Sequence, residues 1–189
     1  MIRIGILGDI GSGKSYIAKN FGYPVFNADE EVNKIYEKDK KIYIKLKKVL
    51  PKYINSFPIN KNELTNAILS SKNNLQKIVA IVHLEVKNRV SFFLKKNKNK
   101  KIVILDIPLF LENKLNKKND ILVFVDSSQK EILKRLKKRK NFNKELLKKF
   151  KNIQLPLDYK RKKSQFIIKN NFTKKHVMMN VRNILNKIM

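Results

Sequence analysis

Apolar positions along the chain alternate between two kinds of run. Residues 2–7 (Ile-Arg-Ile-Gly-Ile-Leu), 24–28 (Pro-Val-Phe-Asn-Ala, stopping at Asp29), 101–106 (Lys-Ile-Val-Ile-Leu-Asp), 120–126 (Asp-Ile-Leu-Val-Phe-Val-Asp) and 165–169 (Gln-Phe-Ile-Ile-Lys) are short and mostly apolar. Such runs suit strands covered on both faces of a parallel sheet. Between them the spacing turns helical. Tyr16–Phe21 is closed by Gly22, and from Glu30 to about Asn99 apolar residues recur three or four apart, as in Ile42/Leu46/Val49/Leu50, Leu64/Ile68 and Leu75/Ile78/Val82. Pro51 and Pro58 punctuate that stretch. Ser127 or Ser128 caps a helix to about Arg139, residues 140–163 are basic and helical around Pro156, and Thr173 opens a last helix with Val177, Val181, Ile184, Leu185 and Ile188 on one face.

Strands separated by helical stretches predict an α/β fold with a five-stranded parallel sheet. Ligands of such sheets gather at the carboxyl ends of the strands, and those ends carry Asp29, Asp106 and Asp126. The predicted core is 1–29 with 100–189. The helical insertion 30–99 is too long for a simple crossover, which points to a lobe that grips a second substrate. No internal repeat is visible.

Composition narrows the class. With 42% apolar residues the chain can bury a core, and without cysteine it has neither disulfides nor thiolate chemistry. No apolar run is long enough to span a bilayer, and Met1-Ile2-Arg3-Ile4 does not read as a signal segment, so no membrane association and a cytoplasmic location are expected. The net charge of +29 would ordinarily indicate a polyanion partner. The basic residues, however, comprise 38 lysines and only 6 arginines, spread over many helices beside 23 Asn and 23 Ile. That is the pattern of a solvated surface in an A/T-rich coding background, and no nucleic-acid-binding module is present, so no specific nucleic-acid partner is expected. The positive field would still steer a multiply phosphorylated substrate inward.

Against this background glycine is informative, because all five, Gly5, Gly8, Gly11, Gly13 and Gly22, fall in the first 22 residues. Gly8-Asp9-Ile10-Gly11-Ser12-Gly13-Lys14-Ser15 is a complete G-x-x-x-x-G-K-S between a predicted strand and a predicted helix. In that context successive backbone N–H groups of residues 8–16, ending at Tyr16, turn toward phosphate oxygens, and the helix dipole adds positive potential. Lys14 is placed to reach the β- and γ-phosphates of ATP, and the Ser15 hydroxyl to ligate Mg²⁺.

These and later segments together resemble the dephospho-coenzyme A kinase family. Ile10-Gly-Ser-Gly-Lys-Ser15 is similar to its glycine loop, Asn27-Ala28-Asp29-Glu30 to its Asp-Ala-Asp segment, and Ile78-x-x-Ile81-x-His83 to its His-Pro element. Pro108-Leu109-Phe110-Leu111-Glu112 resembles its Pro-Leu-Leu-Phe-Glu, and Gln154, Lys160-Arg161 and Phe166–Asn170 its closing segment. The resemblance implies a three-layer P-loop kinase fold with a helical acceptor-binding insertion and a small lid at about 138–163. It also implies ATP-dependent phosphorylation of the ribose 3′-hydroxyl of dephospho-coenzyme A, by a monomer or weak homo-oligomer. Another P-loop kinase acting on nucleoside monophosphates is the runner-up, disfavoured because residues 30–99 hold only one arginine, Arg89.

Under that resemblance Asp29 orients the acceptor hydroxyl, with helix capping as the alternative. Arg139 contacts the transferring phosphate, while Arg135 and Asn170 join the nucleotide site. His83, Pro108, Leu109 and Arg161 belong to the substrate site, and Asp106 holds Mg²⁺ through water or satisfies nearby backbone donors. Arg135 has a plain exposed-helix alternative, His83 a buried structural one, and Glu112 reads as an interface residue. The chain departs from the family pattern at Asp9 (for Gly), Tyr16 (Thr), Asn27 (Asp), Asn60-Lys61 (Asp-Arg), Leu84 (Pro) and Ser164-Gln165 (Ala-Asp). A carboxylate at position 9 is electrostatically awkward unless it points away from the phosphates or helps coordinate Mg²⁺.

Overall fold

The computed structural model describes residues 1–140 and 142–189. Asn141, inside the predicted lid, lies outside the described residues. Five strands, β1 (Ile2–Gly8), β2 (Val25–Asn27), β3 (Ile102–Asp106), β4 (Ile121–Asp126) and β5 (Phe166–Lys169), form one parallel sheet in the order β2-β3-β1-β4-β5. The helices are α1 (Lys14–Asn20), α2 (Ala28–Lys38), α3 (Lys40–Val49), α4 (Lys61–Ser70), α5 (Lys72–Lys96), α6 (Gln129–Lys137), α7 (Lys144–Asn152), α8 (Leu157–Lys163) and α9 (Lys174–Ile188).

The strand sequences explain the sheet. β1 and β3 lie inside it with both faces covered, so Ile4, Ile6, Ile102 and Ile104 are all fully buried. Gly5 serves packing rather than the loop, since a Cβ there would stand 2.5 Å from Phe110 Cε1. On one face α1 and α9 close the core, Ile17, Ala18 and Phe21 meeting Val177, Val181 and Ile184. Each large side chain so buried contributes about 1.5–3 kcal/mol. At the amino end of the sheet Arg3 Nη2 donates to Asp120 Oδ2 at 2.9 Å and to the Leu115 carbonyl at 3.1 Å. Burial pushes the Asp120 carboxyl above its ordinary value and outweighs the Lys117 N–H and the Arg3 charge, which pull it down.

The chain divides into two compact units, one of residues 1–27, 93–142 and 154–189, the other of 28–92 and 143–153. The first contains the whole sheet. The second is helical: α2, α3, α4, most of α5, and α7, which lies within the predicted lid. Its apolar stripe includes Ile42, Leu46, Leu64, Ile68, Leu75, Ile78 and Val82, all buried at helical spacing. Arg89 makes an ion pair with Glu31 at 2.9 Å and with Glu85 at 3.1 Å, and approaches Asp39 at 4.0 Å. Burial raises Glu31, but the hydrogen bonds and charges of Lys34 and Arg89 prevail and hold its carboxyl below the usual range. No helix among the described residues is long and apolar enough to cross a membrane.

Among the predicted boundaries that move, two lie beside the glycine loop and Asp29. The first helix starts at Lys14 rather than Tyr16, and β2 stops at Asn27 rather than running to Asp29. Pairing with β3 ends at the Asn27–Asp106 register, and the backbone turns helical at once.

Candidate active site

β1 hands over to α1 through residues 9–13, and the geometry of that loop is set by its glycines. Gly13 holds the N-cap position at φ 94° and ψ 16°, with no side-chain cap. A side chain there would be strained by the left-handed backbone and would also bring a Cβ to 2.5 Å from Asn170 Nδ2. Gly11, at φ +86°, lies 3.0 Å by the same measure from Leu136 Cγ on α6. The first intrahelical bond runs from the Ile17 N–H to the Gly13 carbonyl at 3.1 Å, so the Lys14, Ser15 and Tyr16 amides stand at the positive end of the helix ahead of it.

The loop is braced from behind. The Ser12 carbonyl accepts from Ser127 Oγ at 2.9 Å and from Asn170 Nδ2 at 2.8 Å. Asn170 is itself held, its N–H donating to the Asp126 carbonyl at 2.7 Å and its Oδ1 accepting from the Phe172 N–H at 2.9 Å. Lys14 Nζ folds over the loop and donates to the Gly8 and Asp9 carbonyls at 3.2 and 2.7 Å. These bonds tie the carboxyl ends of β1, β4 and β5 into one rigid frame under the α1 terminus.

Asp9 resolves the awkwardness of its charge within this frame. Its side chain is buried, with Oδ1 accepting the Ile10 N–H at 2.7 Å and Oδ2 accepting Gln129 Nε2 at 3.0 Å. The Ile10 amide is bound by the neighbouring carboxylate, and the Ser12 amide by the Asp9 carbonyl at 3.2 Å.

The other predicted residues are placed as follows. Asp106 is buried at the end of β3, where Oδ2 accepts from Asn27 Nδ2 at 3.0 Å. Asp29 lies in the first turn of α2, one residue past the start, so it is neither a strand-end residue nor an N-cap. An acid in the first turn is favourable against the helix dipole. His83 lies within α5, which runs without a break through Leu84, the position where the family carries proline. Arg139 is exposed just past α6, and Tyr16 is exposed on α1. Arg135 stacks its guanidinium on the Phe172 ring at 4.4 Å, more than a plain surface helix residue would do. Arg161 Nη1 meets Asp126 Oδ2 at 3.3 Å, and Pro108 and Leu109 are half-buried in the turn after β3. Asn170, expected in the nucleotide site, spends its side-chain amide on the loop and on Phe172.

Sequence reasoning missed three residues. Ser127 and Gln129 brace the loop, whereas only a helix cap was expected at 127 or 128; Ser128 supplies that cap, accepting the Glu131 N–H. The third is Lys160, a fully buried lysine in a chain whose lysines read as surface. It pairs with Glu112 at 2.7 Å and donates to Gln154 Oε1 at 3.3 Å, while the same Glu112 oxygen accepts the Leu155 N–H at 2.9 Å. Glu112 is thus a buried anchor within the sheet-bearing unit. No local pattern marks such a pair, because its partners lie 48 residues apart in the sequence.

The loop, the acids beside it and the parallel sheet make this a phosphate-binding edge. A sequence model of dephospho-CoA kinase matches residues 2–176. The chain belongs to the dephospho-CoA kinase family. A dephospho-CoA kinase from Wolbachia sp. subsp. Brugia malayi is 35% identical over 190 residues, covering 98% of this chain and 97% of its own. A Thermus thermophilus crystal structure shares 25% identity at a TM-score of 0.79, covering 100% of this chain and 98% of that one. A dephospho-CoA kinase from Campylobacter jejuni shares the fold at 20% identity and a TM-score of 0.66, covering 98% and 96%.

Proposed function

We propose that the protein transfers the γ-phosphoryl group of ATP to the ribose 3′-hydroxyl of dephospho-coenzyme A, the last step of coenzyme A synthesis. The observation that carries this reading is the family match over nearly the whole chain, and the braced glycine loop supports it. The acceptor oxygen forms a bond to the γ-phosphorus, the bond to the β–γ bridging oxygen breaks, and ADP departs. The hydroxyl proton passes to the Asp29 carboxylate, which also holds the oxygen in line. Such transfer is mostly positioning and charge stabilisation, so a rigid loop is what the reaction needs from the fold.

In this reading Gly11, Gly13 and the amides of Lys14, Ser15 and Tyr16 receive the phosphates, and Lys14 exchanges its two loop carbonyls for phosphate oxygens. Arg139 balances charge on the transferring group, and Arg135, stacked on Phe172, borders the nucleotide. Residues 30–99 supply the acceptor lobe with His83, and Pro108, Leu109 and Arg161 are further substrate-binding residues. Ser15 and Asp106 offer only oxygen donors, which fits Mg²⁺, a hard ion that keeps waters and substrate phosphates among its ligands. Bound there, Mg²⁺ supplies neutralisation of phosphate charge. The protein acts in the cytoplasm as a monomer or weak homo-oligomer.

The deciding experiment compares ADP release with dephospho-coenzyme A, AMP, CMP and pantetheine derivatives side by side. Turnover with dephospho-coenzyme A alone, yielding the 3′-phosphorylated product by mass spectrometry, is expected. Equal turnover with AMP or CMP would overturn the acceptor assignment.

A further inference from the structure

The first turn of α2 is weakly anchored by apolar packing. The middle of the helix is held by Ile35 and by the largely enclosed Tyr36, whose carbonyl accepts the Ile59 N–H at 2.9 Å, whereas only the methyl of Ala28 is buried in the first turn. The first turn carries Asp29, Glu30 and Glu31. What restrains it among the described contacts is charge. Arg89, on α5, donates from Nη1 to Glu31 Oε2 at 2.9 Å and from Nε to Glu85 Oε1 at 3.1 Å, and its Nη2 lies 4.0 Å from Asp39 Oδ2. Asp39 follows the last residue of α2 and caps α3 by accepting the Ile42 N–H at 3.1 Å. One planar guanidinium thus addresses both ends of α2, about 12 Å apart along the axis at 1.5 Å per residue, and also the start of α3. All four side chains are between 20% and 26% exposed, so water screens them only in part.

The choice of residue points the same way. In a chain with 38 lysines and 6 arginines, the one arginine of residues 30–99 occupies the place where three nitrogens face three carboxylates. An ammonium is a point charge and cannot hold that fork. Lys34 touches the same Glu31 at 2.6 Å, yet its side chain is 55% exposed and it belongs to α2 itself, so it cannot fix α2 against α5.

We propose that Arg89 is a positioning residue for phosphoryl transfer. Through Glu31 it sets the orientation of the α2 first turn, and hence of Asp29, against α5, the helix that carries His83. The inference rests on the assignment of Asp29 to the acceptor hydroxyl.

The test uses Arg89→Met, Arg89→Lys, Glu31→Gln and Lys34→Met, with Asp29→Asn alone and combined with Arg89→Met. Steady-state kinetics are measured for both substrates, with thermal melting alongside. Arg89→Met is expected to lower kcat about 10-fold or more, as misplacement of a reacting group does, with KM for ATP within about twofold. Arg89→Lys, which keeps the charge and so guards against misfolding, should recover only part of kcat. Lys34→Met should stay within about twofold of the wild type, and Arg89→Met should add little to Asp29→Asn because both act on one carboxylate. Wild-type kcat in Arg89→Lys and Arg89→Met, or an equal loss in Lys34→Met, would overturn the proposal. Full additivity with Asp29→Asn would do the same, since Arg89 would then act elsewhere. If Asp29→Asn alone keeps wild-type kcat, it is the Asp29 assignment that fails.

Discussion

In the phosphate loop the groups proposed to receive the ligand are mostly backbone amides, at Lys14, Ser15 and Tyr16, and the loop that carries them is held by residues outside it. Ser127, Asn170 and Gln129 all bond to the loop from outside it. In residues 28–92 the candidate groups are side chains on helices, Asp29 and His83, and their direction follows from how whole helices are held. The loop is held chiefly through the Ser12 backbone carbonyl, with the Asp9 carboxylate adding a bond to Gln129. The helical unit draws its own from a few carboxylates gathered on Arg89. A backbone site therefore depends less on the identity of each side chain, whereas a side-chain site is exposed to each substitution.

That contrast can be broken most directly at Lys14, the loop's one cationic side chain. Lys14→Ala is expected to reduce kcat by about 10²–10³-fold, the scale of losing a charge-stabilising donor, in an ADP-release assay. Wild-type turnover would remove the loop from the chemistry. Asp29→Asn, its counterpart in the helical unit, should lower kcat by about 10²-fold, typical of general acid–base groups. ATP affinity measured by calorimetry should hardly move, since no loop atom is altered. Gly13→Ala tests whether the loop depends on backbone shape. The left-handed conformation alone costs about 1–2 kcal/mol, and the contact with Asn170 adds to it. Urea unfolding should therefore show a clear loss, partly recovered when Asn170 is also replaced by Ala.

The smallest expected effect sharpens the contrast from the helical side. Glu31 has its folded-state pKa lowered, so its contribution to stability is complete above the ordinary carboxylate value and is lost as pH falls through the lowered one. For a partly screened ion pair that amounts to about 1 kcal/mol or less. The difference in unfolding free energy between wild type and Glu31→Gln should shrink as pH is lowered across that window, and a difference independent of pH would count against the clamp.

Legibility follows the same division. The glycine loop was readable because Gly11 and Gly13 occupy backbone conformations that few other residues tolerate, and because strand and helix periods flank the motif. The five strands were readable because continuous apolar runs have few other uses in a sheet buried on both faces. Asp106 was placed by being the last residue of such a run. The braces were not readable: Asn170 stood out only through the family resemblance, and its contact with Ser12 spans 158 residues. Arg89 carried a faint signal in being rare, but its partner Glu31 lies 58 residues away and is one more acid at a helix start. Asp29 was misplaced by two residues because a strand that ends where its pairing ends leaves no mark of its own.

Lys160 gives the chain a built-in reporter. Among lysines that are otherwise open or partly open to solvent, its amine is wholly enclosed against Glu112. Reductive methylation of the native protein followed by peptide mapping would tag the rest and spare this one nitrogen. The rate at which it becomes labelled would then measure how often the segment from Gln154 to Lys160 lifts off the sheet.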